Sequence, residues 1–241
     1  MFLLDEDGQL VKTRKFKDRQ YIGDPLVALK LFNELGADEI MILSIDKISS
    51  KLKTPPWELL ELLSSEALMP LSYGGGIRCA DDASRIISIG YEKVIFSASR
   101  LIDGSNIKSI IHMLGSQSVT ICVNYREKLF SGRSVFCHKT NAKIGKISYV
   151  MNLASTIGVG EVLLQNISRE GERGGIDLDV VDEISKNFNG PIILSGGLKK
   201  LEECDQISQN ISGFAAGSYF VFSGERRGVL INYPSDEERG I

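Results

Sequence analysis

Two stretches decide how this sequence folds: PLSYGGGI at residues 70–77 and PIILSGGL at residues 191–198. Pro70 and Pro191, Gly75 and Gly196, and Gly76 and Gly197 all stand 121 positions apart. The likeness extends outward on both sides. LGADEIMIL (35–43) answers IGVGEVLLQ (157–165), with Gly36/Gly158 and Glu39/Glu161 each 122 apart. KVIFSAS (93–99) lies 120 to 121 positions before GFAAGSY (213–219). Three blocks in one order at nearly one offset mark a duplication of half the chain. Solenoid repeats are far shorter, roughly 20–50 residues. A period this long suits a single barrel of two four-strand halves, 1–118 and 119–241.

The segments around these blocks agree. Apolar runs at Ile40–Ile45, Leu71–Tyr73, Val94–Phe96, Val119–Val123, Val162–Gln165, Ile192–Leu194 and Gly213–Ala216 read as strands covered on both faces. Met1–Leu4 supplies an eighth. Helical patterns lie between them at Pro25–Leu35, Trp57–Glu66, Ala80–Ile89, Ile107–Leu114, Ile147–Ile157 and Leu178–Asn187. Asp24 and Asp177 stand where N-caps belong, and Gly36, Gly90 and Gly158 where helices stop. Such alternation predicts α/β architecture with parallel strands, a (β/α)8 TIM barrel. An open doubly wound sheet would show one glycine-rich turn near its start and no half-to-half copy. Leu129–Ile144 reads as a hairpin inserted after the fifth strand, and Trp57 as packing at a helix start.

Composition excludes several classes. Hydrophobic residues make up 43% and charged residues 24% of 241 residues, which rules out disorder, collagen and coiled coil. Lys and Arg number 28 against 31 Asp and Glu, a net charge of −3 without a basic stripe. Nucleic acid and anionic membrane are therefore poor partners. Apolar runs such as Ile40–Leu43 fall far short of the ~20 residues of a membrane span. Met1–Leu4 turns acidic at Asp5 without the pattern of a signal peptide, so a cytoplasmic location is expected. Cys79, Cys122, Cys137 and Cys204 form no C-x-x-C pair and read as reduced thiols. His112 lies in a helical pattern, and His138 beside Cys137 lacks further ligands at a familiar spacing. Neither metal nor other cofactor is expected.

Ligands of parallel barrels bind at the C-terminal ends of the strands. Gly74, Gly75 and Gly76 follow the third strand and Gly196 and Gly197 the seventh, where glycine lets backbone N–H groups approach an anion. Tight turns alone would also use glycine. Ser97-Ala98 and Gly217-Ser218 add small and hydroxyl residues at the ends of the fourth and eighth strands. Two such patches predict a long ligand with phosphate or similar groups at both ends. Tyr73 and Gln165, also at strand ends, either line that cavity or simply pack.

The half-barrel copies, with DGQLVK (7–12), GDP (23–25), YGGGIR (73–78) and SGGL (195–198), resemble the cyclase subunit of imidazole glycerol phosphate synthase along essentially the whole chain. The resemblance implies a (β/α)8 barrel that takes ammonia from a separate glutaminase subunit in histidine biosynthesis. It implies one phosphate near Gly75, Gly76 and Ser97. The other would lie near Gly171, Gly196, Gly197, Gly217 and Ser218, with Lys12 over the ligand. Glu170 stands where the family carries an aspartate. Glu39, Lys93 and Glu161 match a gate through which ammonia enters; on spacing alone they are equally three charges on an exposed rim. The gate's arginine in strand one has no counterpart.

The family's general acid and base are two aspartates ending strands one and five. Here the strand-five position is Asn124, an amide that does not exchange protons near neutral pH. The strand-one position is Leu4, or Asp5 after a one-residue gap that slips the strand register. The sister isomerase needs the same aspartates and is disfavoured. FVFSGERRGVLINYPS (220–235) and LVKTRKFK (10–17) resemble the branch encoded with enzymes that modify bacterial surface sugars. There, barrel and glutaminase are thought to supply ammonia to a third, amidating enzyme that makes acetamidino sugars. The alternatives are a true histidine-pathway cyclase using Asp5 and a non-catalytic scaffold. Only four residues precede Asp5, about seven fewer than the resemblance leads one to expect. The first strand is therefore expected to be short, or the chain to start upstream.

Overall fold

Strand and helix alternate because short, continuously apolar runs are separated by amphipathic ones. A computed structural model describes residues 1–45, 54–102, 107–128, 132–206, 211–224 and 226–239. In chain order the elements are β1 (Phe2–Leu4), β2 (Leu10–Thr13), β3 (Arg19–Gly23), α1 (Pro25–Glu34), β4 (Ile40–Ser44), α2 (Trp57–Glu66), β5 (Leu71–Gly74) and α3 (Ala80–Ser88). Then come β6 (Lys93–Ser97), α4 (Ser99–Ile102), α5 (Ile107–Leu114), β7 (Val119–Lys128), β8 (Gly132–Phe136), β9 (Lys143–Lys146) and α6 (Ile147–Ile157). β10 (Glu161–Asn166), α7 (Val180–Ile184), β11 (Ile192–Ser195), β12 (Ile211–Ala215), α8 (Ser218–Val221), β13 (Phe222–Ser223), β14 (Gly228–Val229) and α9 (Asp236–Arg239) complete the chain. All eight expected strands are present, as β1, β4, β5, β6, β7, β10, β11 and β12.

The chain divides into two units: Met1–Thr13, Lys17–Val94 and Ala216–Ile241 in the first, Arg14–Phe16 and Ile95–Ala215 in the second. The first has strand order β3-β2-β1-β4-β5, with β1, β4 and β5 parallel. β1 and β5 are buried along their length, and Phe2, Leu29, Phe32, Ile42, Leu60 and Tyr73 lie in its core. Asp24 caps α1 as expected, accepting from the Leu26 and Val27 amides at 2.8 and 3.0 Å, with Pro25 in the first turn. Arg85 lies 4.2 Å over the Trp57 ring at the start of α2. The antiparallel hairpin of β2 and β3 was not expected. Nor was the antiparallel pairing of β1 with β2, whose turn is signalled by DEDG at 5–8: the Asp5 carboxylate accepts from the Asp7 and Gln9 amides and Gly8 takes φ +75°.

The second unit has strand order β12-β11-β10-β7, all parallel. β10 is buried at every residue, and α6 presents Ile147, Val150, Met151 and Ala154 to the interior at helical spacing. α6 ends at Gly158 in the left-handed region, as expected. β7 continues to Lys128 and pairs antiparallel with β8, which pairs with β9. This is the expected inserted hairpin; its residues 129–131 lie outside those described. Two expectations are corrected. The helix drawn over Leu178–Asn187 is only Val180–Ile184, and Asp177 is not its cap. The Asp177 carboxylate instead takes two hydrogen bonds from Arg133, at 3.0 and 2.8 Å. A bidentate charged pair outweighs a single cap bond.

Candidate functional site

In the first unit, β1 ends on Leu4, whose side chain is fully buried and whose carbonyl accepts from the Ile45 amide at 2.8 Å. Asp5, partly exposed, spends Oδ1 on the turn described above. Lys12 of β2 is 1% exposed and donates through Nζ to the Met1 carbonyl. Gly217 lies against it: a Cβ there would stand 2.8 Å from Nζ, so glycine is what admits the buried ammonium. The neighbouring Ser218 hydroxyl is buried and has no hydrogen-bond partner among the described residues. A buried cation beside an unsatisfied donor suits an anion. Gly76 has φ +66°, and a Cβ there would lie 2.9 Å from the Thr54 carbonyl carbon, so its turn requires glycine on packing grounds as well. Gly75 similarly approaches Ser44.

Glu39 and Lys93 precede and begin β4 and β6. Lys93 Nζ lies 3.6 Å from Glu39 Oε2, and the Ser72 hydroxyl donates to Glu39 Oε1. These two expected gate residues are therefore paired. Glu161, the third, begins β10 in the second unit and accepts from the Thr120 hydroxyl at 2.8 Å. Each charge is met by a polar partner, as burial demands. Tyr73 is packed rather than open, its ring against Tyr91 and its hydroxyl 2.9 Å from the Ser44 oxygen.

The second unit gathers a different set. Asn124 of β7 is 5% exposed, and its Oδ1 lies 3.4 Å from the Cys122 thiol. Gln165 Nε2 donates to Glu170 Oε2 at 3.4 Å, and the Glu170 carbonyl accepts from the Lys15 amide at 2.9 Å. The following Gly171 has φ +75°. Arg14 and Lys15 both pair with Glu172, holding Arg14–Phe16 against this turn. Gly197 has φ +99°, and a Cβ there would stand 2.4 Å from the Gly175 carbonyl oxygen; Gly196 approaches Asn166 in the same way. The Ser97 hydroxyl accepts from Ser99 at 3.2 Å. Tyr125, Arg133 and Asn166 donate to Asp177, whose side chain is 1% exposed, and Glu183 pairs with the same Arg133. Sequence reasoning missed Cys122 and this network. Cys122 could have been found, because it sits two residues before Asn124 and so shares its face; Arg133 carried no such signal.

A model of histidine biosynthesis proteins matches residues 4–226. The chain belongs to the histidine biosynthesis protein family. Its mostly parallel strands alternating with helices are those of the TIM-barrel fold class. A Leptospira interrogans protein provisionally named imidazole glycerol phosphate synthase subunit HisF is 40% identical over 98% of this chain and 94% of its own length. A Pseudomonas aeruginosa protein provisionally named subunit hisF2 is 39% identical over 96% and 93%. A Streptococcus mutans protein named imidazole glycerol phosphate synthase subunit HisF is 28% identical over 98% and 94%. This HisF-like chain has glycine turns at Gly75–Gly76 and Gly196–Gly197, a buried Lys12, and an amide, Asn124, within β7. Among the described residues no helix is long and apolar enough to cross a membrane, and no group of His, Cys, Asp and Glu could hold a metal ion.

Proposed function

We propose that this chain is the synthase-like subunit of a glutamine-dependent amidotransferase. It receives ammonia from a glutaminase partner and passes it on, for amidination of an acetamido sugar in surface-polysaccharide biosynthesis. Asn124 is the observation that carries this reading. A general acid or base must gain and lose a proton near neutral pH; an amide does neither, and the adjacent Cys122 is a buried thiol. Lys12 with Ser218 is suited to a phosphate of the ligand. Glu39 with Lys93, and separately Glu161, are the gate residues this reading needs. Residues 1–241 act as one (β/α)8 domain of half-barrels 1–118 and 119–241, in the cytoplasm, with a third, amidating enzyme as the acceptor of ammonia.

The test is co-purification with a glutaminase of the family's type, followed by glutamine hydrolysis with and without this chain. Hydrolysis rises several-fold in the complex if the reading holds; an unchanged rate in a stable complex overturns it and leaves a scaffold. A second reading, the cyclase of histidine biosynthesis, is favoured by the relatives' names and would use Asp5. Turnover of the cyclase's ribonucleotide substrate with ammonium, lost in Asp5→Ala, would establish it instead.

A further inference from the structure

In the second unit, β7, β10 and β11 run side by side with Asn124 opposite Gln165 and Gln165 opposite Ser195. Residues in register on parallel strands present their side chains to the same face, so these three form one polar row. The row is buried, with exposures of 5%, 2% and 4%. Its polarity is set at Gln165, its middle member, by Glu170. A carboxylate accepts, so Gln165 turns its Nε2 toward Glu170 and its Oε1 toward Cys122, 3.9 Å away. Burial pushes the Cys122 thiol up to about 12, so it keeps its proton. That proton faces the oxygens of Gln165 and, at 3.4 Å, of Asn124. Asn124 is thereby held with its oxygen inward and its Nδ2 free to donate elsewhere. Among the described residues that Nδ2 has no partner, and neither has the Ser195 hydroxyl.

We propose that the row Asn124–Gln165–Ser195 recognises an uncharged hydrogen-bond acceptor of the ligand, a carbonyl or hydroxyl oxygen, and that Cys122 is the positioning residue that makes Asn124 a donor. An anion is opposed by the Glu170 carboxylate that accepts from Gln165. A cation such as ammonium has no lone pair to receive the two donors. The inference rests on the reading above only in taking the end of β7 as ligand-facing.

Two measurements on the purified full chain test it. The Raman S–H stretch of Cys122, isolated by subtracting Cys122→Ala, falls below that of an unbonded thiol and moves back up in Asn124→Leu, or in Asn124→Ser should the leucine variant not fold. In amide nuclear magnetic resonance spectra, the Asn124 side-chain signal shifts saturably with acetamide and not with ammonium chloride at equal ionic strength. Cys122→Ala weakens the acetamide response about three- to tenfold, the worth of one neutral hydrogen bond, and Cys122→Ser restores it. An S–H band at the free-thiol position, a response to ammonium instead of acetamide, or an equal acetamide response in Cys122→Ala overturns the proposal. Neither measurement needs a glutaminase. Unstimulated glutaminase with both responses intact removes the ammonia reading and leaves this one standing.

Discussion

At the scale of the residue, the glycines and the buried thiol make the sharpest statements. Gly197 combines φ +99° with a Cβ position 2.4 Å from a backbone oxygen, whereas Gly213 of β12 has open space within 4 Å. Gly197→Ala is therefore expected to cost more than ~1 kcal/mol in urea unfolding, and Gly213→Ala much less. Comparable losses at the two positions would contradict the packing argument. The thiols separate in a similar way. Cys79 is exposed and Cys122 buried, with its ionisation pushed up to about 12 by burial. A thiolate-specific reagent at neutral pH should label Cys79 in the native protein and reach Cys122 only on unfolding, as peptide mapping would show.

At the scale of the element, the hairpin of β7 and β8 is fastened by a pair of residues 44 positions apart. Arg133 of β8 reaches the Asp177 carboxylate with two hydrogen bonds, and Tyr125 of β7 adds a third at 2.9 Å. Removing the Asp177 carboxylate takes two charged hydrogen bonds from Arg133 and leaves it the more exposed Glu183 and Glu127. Asp177→Ala is expected to destabilise the protein by about 2–3 kcal/mol. A chemical-denaturation midpoint close to that of the unaltered protein would show that water already satisfies Arg133. The element boundaries were largely legible in the sequence. α2, α5 and α6 run over the residues their apolar spacing predicts, because a 3.6-residue period is a local property of the chain. β2 and β3 were not, because Lys12 and the charged run after it mask a strand whose inner face is covered only by tertiary packing.

At the scale of the whole molecule, the chain's last described segment is pinned to a corner 195 positions earlier. The Tyr233 hydroxyl donates to Asp38 Oδ2 at 2.8 Å, its ring lies between Phe32 and Phe220, and Arg239 pairs with Asp38. Burial first, then the hydrogen bond to Asp38, raises the Tyr233 phenol from its ordinary value of 10 to about 12. Below pH 10 the phenol is protonated in both folded and unfolded chains. Between 10 and 12 the unfolded chain loses its proton first, so this contribution to stability declines as pH rises. Tyr233→Phe should make the fall in stability from about pH 9 to pH 11 shallower; parallel declines in variant and unaltered protein would refute the coupling.

The internal repeat, the eight strand segments and the two glycine turns were legible in the sequence by itself. Apolar runs and the demand for glycine at positive φ are written residue by residue and hold wherever the chain is placed. The sequence also placed an amide at Asn124 where the resemblance leads one to expect a carboxylate. Only the tertiary structure decided which polar groups meet. Asn124, Gln165 and Ser195 form a row because three strands align in register, and Asp177 serves Arg133 rather than a helix end. A buried polar group must find its partner within about 3 Å, and that distance depends on the packing of segments far apart in sequence, which no local pattern encodes.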